Sequence, residues 1–108
     1  MKPTRYYSNK QEKKVAKTVR GKVTPNSGAT AFSKGDVVTD LFLIECKTKT
    51  DSSASLKIKR EWLIKLKEEA FAMHRPYYAL AFDFGDDERH YIIDEKLFKC
   101  LLEYLEEG

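Results

Sequence analysis

The chain has 108 residues and a formal net charge of +3, with 42% hydrophobic and 34% charged residues. This length fits one domain with one modest core, so we predict that residues 1–108 form a single domain. No apolar run approaches the roughly 20 residues of a membrane span, and no signal-peptide pattern is present, so we expect a cytoplasmic protein without a membrane partner.

Positive charge is concentrated in the first part of the chain. Residues 1–60 contain 14 Lys and Arg against 5 Asp and Glu, whereas residues 61–108 contain 6 against 12. Clustered cations are typical of proteins that bind a polyanion such as nucleic acid. A solvated basic helix explains the same count, so charge by itself leaves both interpretations open.

The first predicted element is a helix. Ser8 and Gln11 have the spacing of a capping box, and Gly21 is typical of the position just beyond a helix end. We predict a helix over about 9–20, with residues 1–7 as a flexible basic and aromatic tail.

A hairpin follows, after a short strand at 22–24 and a loop rich in Gly and Ser. Residues 36–47 consist of two apolar runs, and Asp40 with Leu41 can form the turn between them. Both runs are too apolar to leave one face in water. We therefore expect the sheet to be covered on both sides.

The second part of the chain predicts a helix, two strands and a last helix. Apolar residues from Ile58 to Met73 step along one helical face, and 77–84 and 89–94 have strand character. Asp94 can cap the last helix, whose apolar residues we expect to face the core, namely Leu97, Phe98, Leu101, Leu102 and Leu105. The predicted order is α-β-β-β-α-β-β-α, a mixed α/β (α+β) fold with a central mixed sheet flanked by helices.

The ends of the hairpin contain charged residues at defined positions. Counting back from the turn places Asp36 opposite Glu45, with Cβ atoms about 4.5–5.5 Å apart. Two carboxylates this close repel each other unless a proton or a cation lies between them. Lys47 lies on the same face as Glu45. The pattern indicates a site for Mg²⁺ or Mn²⁺, although solvated strand ends would give the same spacing.

Together with the surrounding elements, Asp36 in "GDV" and the strand "IECK" resemble the PD-(D/E)XK nuclease superfamily. Within it the chain looks most like the small archaeal and phage Holliday-junction resolvases, over roughly residues 8 to 84. The resemblance implies a restriction-endonuclease-like core and a dimeric, Mg²⁺-dependent endonuclease that recognises four-way DNA junctions by shape. It implies no nucleotide cofactor, and it places the enzyme in the cytoplasm of a prokaryotic or phage-infected host cell.

The resemblance assigns roles to residues of the hairpin and the first helix. Asp36 and Glu45 would be metal ligands, with the backbone carbonyl of Cys46 as a third. Lys47 would be the catalytic lysine, and Glu12 would add a carboxylate near the metal. Mn²⁺ would substitute for Mg²⁺. Asp40 is the rival for the motif aspartate, and the hairpin pairing disfavours it because it would lie in the turn.

Further residues are expected to contact DNA. A serine in the loop before the motif aspartate matters in the resolvases, and Ser27 and Ser33 both qualify. The cations expected to contact phosphates are Lys13, Lys17, Lys34, Lys57, Lys59 and Arg60. The last three open a helix, where positive charge is unfavourable for the helix dipole, and this favours a phosphate-binding role.

Two alternatives share the same fold. The chain could be another nuclease of the superfamily that acts in restriction, repair or DNA-end processing. It could also be a DNA-binding module without catalytic activity. The presence of Asp36, Glu45 and Lys47 together disfavours the second alternative.

Overall fold

A computed structural model describes residues 4–24, 36–47 and 55–107. Within them, helices and strands follow one another in the predicted order α-β-β-β-α-β-β-α. They are α1 (Thr4–Val19), β1 (Lys22–Val23), β2 (Asp36–Val38), β3 (Phe42–Lys47), α2 (Arg60–Ala72), β4 (Tyr77–Phe82), β5 (His90–Ile92) and α3 (Glu95–Glu107). The prediction of a mixed α/β fold is confirmed. No helix in these ranges combines the length and apolar character that a membrane span requires.

The five strands form one mixed sheet in which spatial order equals chain order, β1-β2-β3-β4-β5. Neighbouring strands are antiparallel except β3 and β4, which are parallel. Parallel neighbours need a crossover connection, and α2 provides it between β3 and β4. Glu45 is therefore paired on both sides, with Asp36 of β2 and Leu80 of β4, whereas Cys46 and Lys47 pair with Ala81 and Phe82 of β4.

Two small cores lie on opposite faces of the sheet. Alternate residues of a strand face opposite sides, so Ile44 of β3 packs toward α1 and Leu43 packs toward α2. The α1 core contains Val15, Val37, Ile44, Ala79 and Ala81, and the α2 core contains Leu43, Leu66, Ala70 and Leu80. The expectation that both faces of the hairpin are covered is confirmed.

Helix α1 begins at Thr4, about five residues before the predicted start. Ser8 consequently lies inside the helix, and the prediction of a capping box is wrong. The Gln11 side chain faces the sheet and donates hydrogen bonds to the Lys47 carbonyl (2.9 Å) and to Asp83 Oδ2 (3.2 Å). The spacing of a capping box was accidental, and Gln11 instead ties α1 to the ends of β3 and β4.

Gly21 lies just beyond α1, as predicted, but for a different reason. The left-handed backbone position is taken by Arg20, with φ of 57°, and the Gly21 N–H donates to the Ala16 carbonyl (2.9 Å). A Cβ at Gly21 would lie 2.6 Å from the Val38 carbonyl oxygen. Glycine is needed here because the chain passes so close to β2.

The prediction that α3 faces the core is wrong. Asp94 does cap this helix, since the Leu97 N–H donates to its Oδ1 (2.8 Å). No described side chain of α3 is buried, however. The exposed fractions are 54% for Phe98, 45% for Leu101, 42% for Leu102 and 67% for Leu105. Helical periodicity identifies residues that share a face, but it contains no information about what covers that face.

Candidate active site

The β2–β3 hairpin pairs Asp36 directly with Glu45, as predicted. The turn is closed by Thr39, whose N–H donates to the Phe42 carbonyl and whose Oγ1 accepts from the Phe42 N–H, both at 3.0 Å. Asp40 is exposed in this turn. The prediction that Asp40 is a turn residue, and not the carboxylate opposite Glu45, is confirmed.

Asp36 is held in place by its backbone, while one oxygen of its carboxyl group has no hydrogen-bond partner in the part of the chain that the structure describes. Its carbonyl accepts hydrogen bonds from the N–H (2.9 Å) and the Oγ1 (3.1 Å) of Thr24. The side chain is 1% exposed, and its Oδ1 has no hydrogen-bond partner among the described residues. Burial raises the pKa of this carboxyl to about 8, and the charges of Glu45, Glu69 and Glu12 add to the rise. A nearby cation would stabilise the ionised form.

Lys47 lies beside Glu45 on the face of the sheet that α2 covers. Its Nζ is 3.5 Å from Glu45 Oε2, an ionic contact that lacks hydrogen-bond geometry, so this buried oxygen also has no hydrogen-bond partner within residues 4–24, 36–47 and 55–107. The same Nζ lies 4.3 Å from the ring centroid of Trp62 on α2, close enough for a cation–π interaction. Trp62 packs against the α2 core and also positions the lysine.

Glu69 is a fourth carboxylate at the site that the sequence reasoning missed. It lies on α2 and is 7% exposed. Burial and then the charge of Glu45 raise the pKa of its carboxyl, while Lys65 and Lys47 oppose this rise. Its spacing of three residues from Leu66 was the available signal, because that spacing places it beside the apolar stripe of α2.

Glu12 lies on α1, near the site from the opposite face of the sheet, as expected. It is 6% exposed, and its charge raises the pKa of both Asp36 and the Cys46 thiol. Burial is the largest cause of the rise for Cys46, whose side chain packs against the α1 core. The Cys46 side chain therefore points away from Glu45, and only its backbone is available as a ligand on the site.

The cations expected to contact DNA do not share one face. Lys13 and Lys17 are exposed on α1, whereas Lys57, Lys59 and Arg60 are exposed at the start of α2, across the sheet. Lys59 is near the carboxylate site, because its Nζ lies 5.9 Å from the Trp62 ring centroid. Outside the described residues lie Ser27, Ser33 and Lys34.

The donor atoms at the hairpin fit Mg²⁺ or Mn²⁺. Asp36 Oδ1 and Glu45 Oε2 are buried carboxylate oxygens on residues directly opposed in the sheet, and neither has a hydrogen-bond partner among the residues that the structure describes. In the part of the chain that the structure describes, no three His, Cys, Asp or Glu side chains are already arranged as a metal-binding group. Mg²⁺ needs fewer than three protein side chains, since it commonly binds through one or two carboxylates and keeps several water molecules as its other ligands.

No family model matches the chain, and no curated protein or solved structure is significantly similar to it. The resemblance to PD-(D/E)XK nucleases therefore depends on the residues of the hairpin and on their geometry.

Proposed function

We propose that the chain is a metal-dependent endodeoxyribonuclease of the PD-(D/E)XK type that cuts four-way DNA junctions. The observation that supports this most is the register of the hairpin, which opposes Asp36 to Glu45, together with a buried oxygen on each that accepts no hydrogen bond from any described residue. Lys47 stands beside this pair. Two carboxylates and a lysine in this arrangement suit the hydrolysis of a phosphodiester.

Asp36 and Glu45 would bind Mg²⁺ or Mn²⁺, with the Cys46 carbonyl as a third ligand and Glu12 as a further carboxylate nearby. A metal ion bound there would lower the pKa of a coordinated water and polarise a phosphoryl oxygen. The chain's own contribution is to hold these oxygens in place before the substrate arrives. Thr24 fixes the backbone of Asp36, and Gln11 fixes the carbonyl of Lys47.

Lys47 acts on the attacking water or on the phosphate. In hydrolysis the water oxygen forms a bond to phosphorus, one P–O ester bond breaks, and the leaving oxygen takes up a proton. Glu45 and the Trp62 ring hold the Lys47 ammonium within reach of this centre. As an ammonium, Lys47 would position the water or offset the charge that develops on the phosphate. To take the proton of the water it would first have to lose its own and act as the neutral amine.

The proposed selectivity for junctions depends on the positions of the exposed cations and on a two-fold dimer. Cations of α2 lie at the start of that helix, near the site, and a second cationic stretch lies on α1. Phosphate contacts of this kind fix position and shape but do not read bases. A two-fold dimer would present two such sites to a symmetric branched substrate, so that each protomer cuts one of two related strands.

Cleavage of labelled DNA tests the proposal. In Mg²⁺ we expect a four-way junction to be cut in paired nicks at least about tenfold faster than a linear duplex of the same arm sequence. EDTA should stop the reaction. Equal cutting of both substrates would support a duplex-cutting nuclease of the same type, and the absence of any cutting would contradict the nuclease assignment.

Glu69→Gln should weaken metal binding. Glu69 adds negative charge to the Asp36 and Glu45 pair, so neutralising it should lower the affinity for Mn²⁺ by about tenfold, the size of effect typical of groups that support metal ligands. Calorimetric titration with Mn²⁺ measures this. Glu68→Gln is the matched control, because Glu68 is its exposed neighbour on α2. Equal Mn²⁺ affinities of the two variants would show that Glu69 does not contribute to metal binding at the site.

A further inference from the structure

The apolar face of α3 is exposed and continuous. We call Phe98, Leu101, Leu102 and Leu105 the α3 stripe, since their spacing of three and four residues places them along one side of the helix. All four are more than 40% exposed. Contiguous exposed apolar surface of this kind commonly marks an interaction site.

A second uncovered apolar surface lies on the α1 face of the sheet. Helix α1 packs mainly over β1, β2 and β3, and beyond its last turn a groove of about 370 Å³ opens above β4 and β5. We call this the β4–β5 groove, and its apolar walls are Val19, Phe42, Ile44, Ala79, Tyr91 and Ile93. A cavity of about 150 Å³ already admits a benzene ring, so the groove has room for more than one large apolar side chain.

The charges beside the two surfaces are complementary. Helix α3 ends in Glu103, Glu106 and Glu107 and has no basic residue in its last turn. On α1, Lys17 precedes the groove residue Thr18 in the last turn, and Arg20 lines a neighbouring pocket together with Thr39 and Phe42 of the groove. An acidic helix end placed beside these cations gains favourable electrostatic interactions and avoids like-charge contacts.

The α3 stripe does not lie in the groove of its own chain. No described residue of α3 lines the groove, although Ile93 is one of its walls and α3 begins two residues later, held by the Asp94 cap. Leu105 lies ten residues into the helix, about 15 Å along its axis from the first turn. The exposed stripe is therefore available to the groove of another molecule.

We propose that two copies of the chain associate by exchanging α3 helices, so that the α3 stripe of each protomer occupies the β4–β5 groove of its partner. A two-fold arrangement forms this contact twice and covers both apolar surfaces of both chains. The proposal does not depend on DNA cleavage. The active site lies on β2 and β3, and neither surface includes its carboxylates.

Sedimentation across a wide range of protein concentration tests the exchange. Wild-type protein should sediment at twice the 12.5 kDa mass of the chain. The α3 variant, Leu101→Glu with Leu105→Glu, and the groove variant, Thr18→Glu with Tyr91→Glu, should each sediment as monomers. All four positions are exposed, and unchanged circular dichroism would verify folding. Lys99→Glu, which adds negative charge on the polar side of α3, should remain dimeric.

Mixing the two variants distinguishes a dimer formed by exchange of α3 helices from a dimer formed in another way. The α3 variant keeps an intact groove, and the groove variant keeps an intact helix, so an equimolar mixture can form one of the two contacts. We expect dimers in the mixture although neither variant dimerises by itself. A groove variant that dimerises by itself would indicate direct pairing of α3 helices and would overturn the exchange, as would a wild-type protein that stays monomeric.

Discussion

Glu45→Ala is expected to lower the rate of junction cleavage by about a thousandfold or more while leaving junction binding nearly unchanged. The reason is that Glu45 supplies one of two buried carboxylate oxygens proposed to bind the metal, whereas the residues proposed to contact DNA are exposed cations of α1 and of the start of α2. Cleavage is measured under single-turnover conditions in Mg²⁺. Binding is measured by fluorescence anisotropy at the same salt concentration, because phosphate contacts depend strongly on salt.

Glu68→Ala is the control for this variant. Both substitutions remove one carboxylate, but Glu68 is exposed on α2 and is not part of the site. Wild-type cleavage by Glu68→Ala, together with its loss in Glu45→Ala, would separate the local role of Glu45 from a general change in charge. Wild-type cleavage by Glu45→Ala would disprove the site assignment.

Asp36→Asn is expected to stabilise the metal-free protein, and more so as the pH rises. The Asp36 carboxyl has a pKa of about 8 in the folded state against 3.8 as its ordinary value. It keeps its proton in the folded state and loses it on unfolding. The free energy of unfolding of the wild type should therefore fall between about pH 4 and pH 8, by at most about 1.4 kcal/mol per pH unit. Asparagine has no such proton to lose.

Chemical denaturation in EDTA measures this difference. At pH 8 we expect Asp36→Asn to be more stable than the wild type by about 1–3 kcal/mol, with little difference at pH 4. Added Mg²⁺ should stabilise the wild type and not the variant, because a ligand stabilises the state that binds it. Asp40→Asn, in the exposed turn, should follow the wild-type pH dependence. A variant less stable than the wild type at pH 8 would contradict the prediction.

The hairpin could be predicted from the sequence because local rules specify it. The two apolar runs of residues 36–47 and the position of the turn between them determine which residues oppose each other, so Asp36, Glu45 and Lys47 could be placed without knowing the rest of the fold. Element order was predictable for the same reason, since periodicity and turn residues are local signals.

Features that depend on tertiary contacts could not be predicted in this way. The spacing of Glu69 from Leu66 places it beside the apolar stripe of α2, but only the packing of α2 against the sheet brings its carboxylate close to Glu45. The α3 stripe has the pattern of a core helix, yet a pattern does not specify whether the same chain or another covers it. The sequence around Gln11 has the spacing of a capping box and contains no signal for its distant hydrogen-bond partners, Lys47 and Asp83. Gln11 was therefore predicted to cap α1.

The alternation along β3 has a consequence for how this sequence can change during evolution. Cys46 packs into the α1 core while its neighbours Glu45 and Lys47 face α2. Inserting or deleting one residue between Val38 and Phe42 would shift the pairing and could bring a different residue opposite Asp36. Loop tips usually tolerate length changes, but the length of this turn should be constrained by the chemistry at the far end of the hairpin, and homologues that cleave DNA should all retain it.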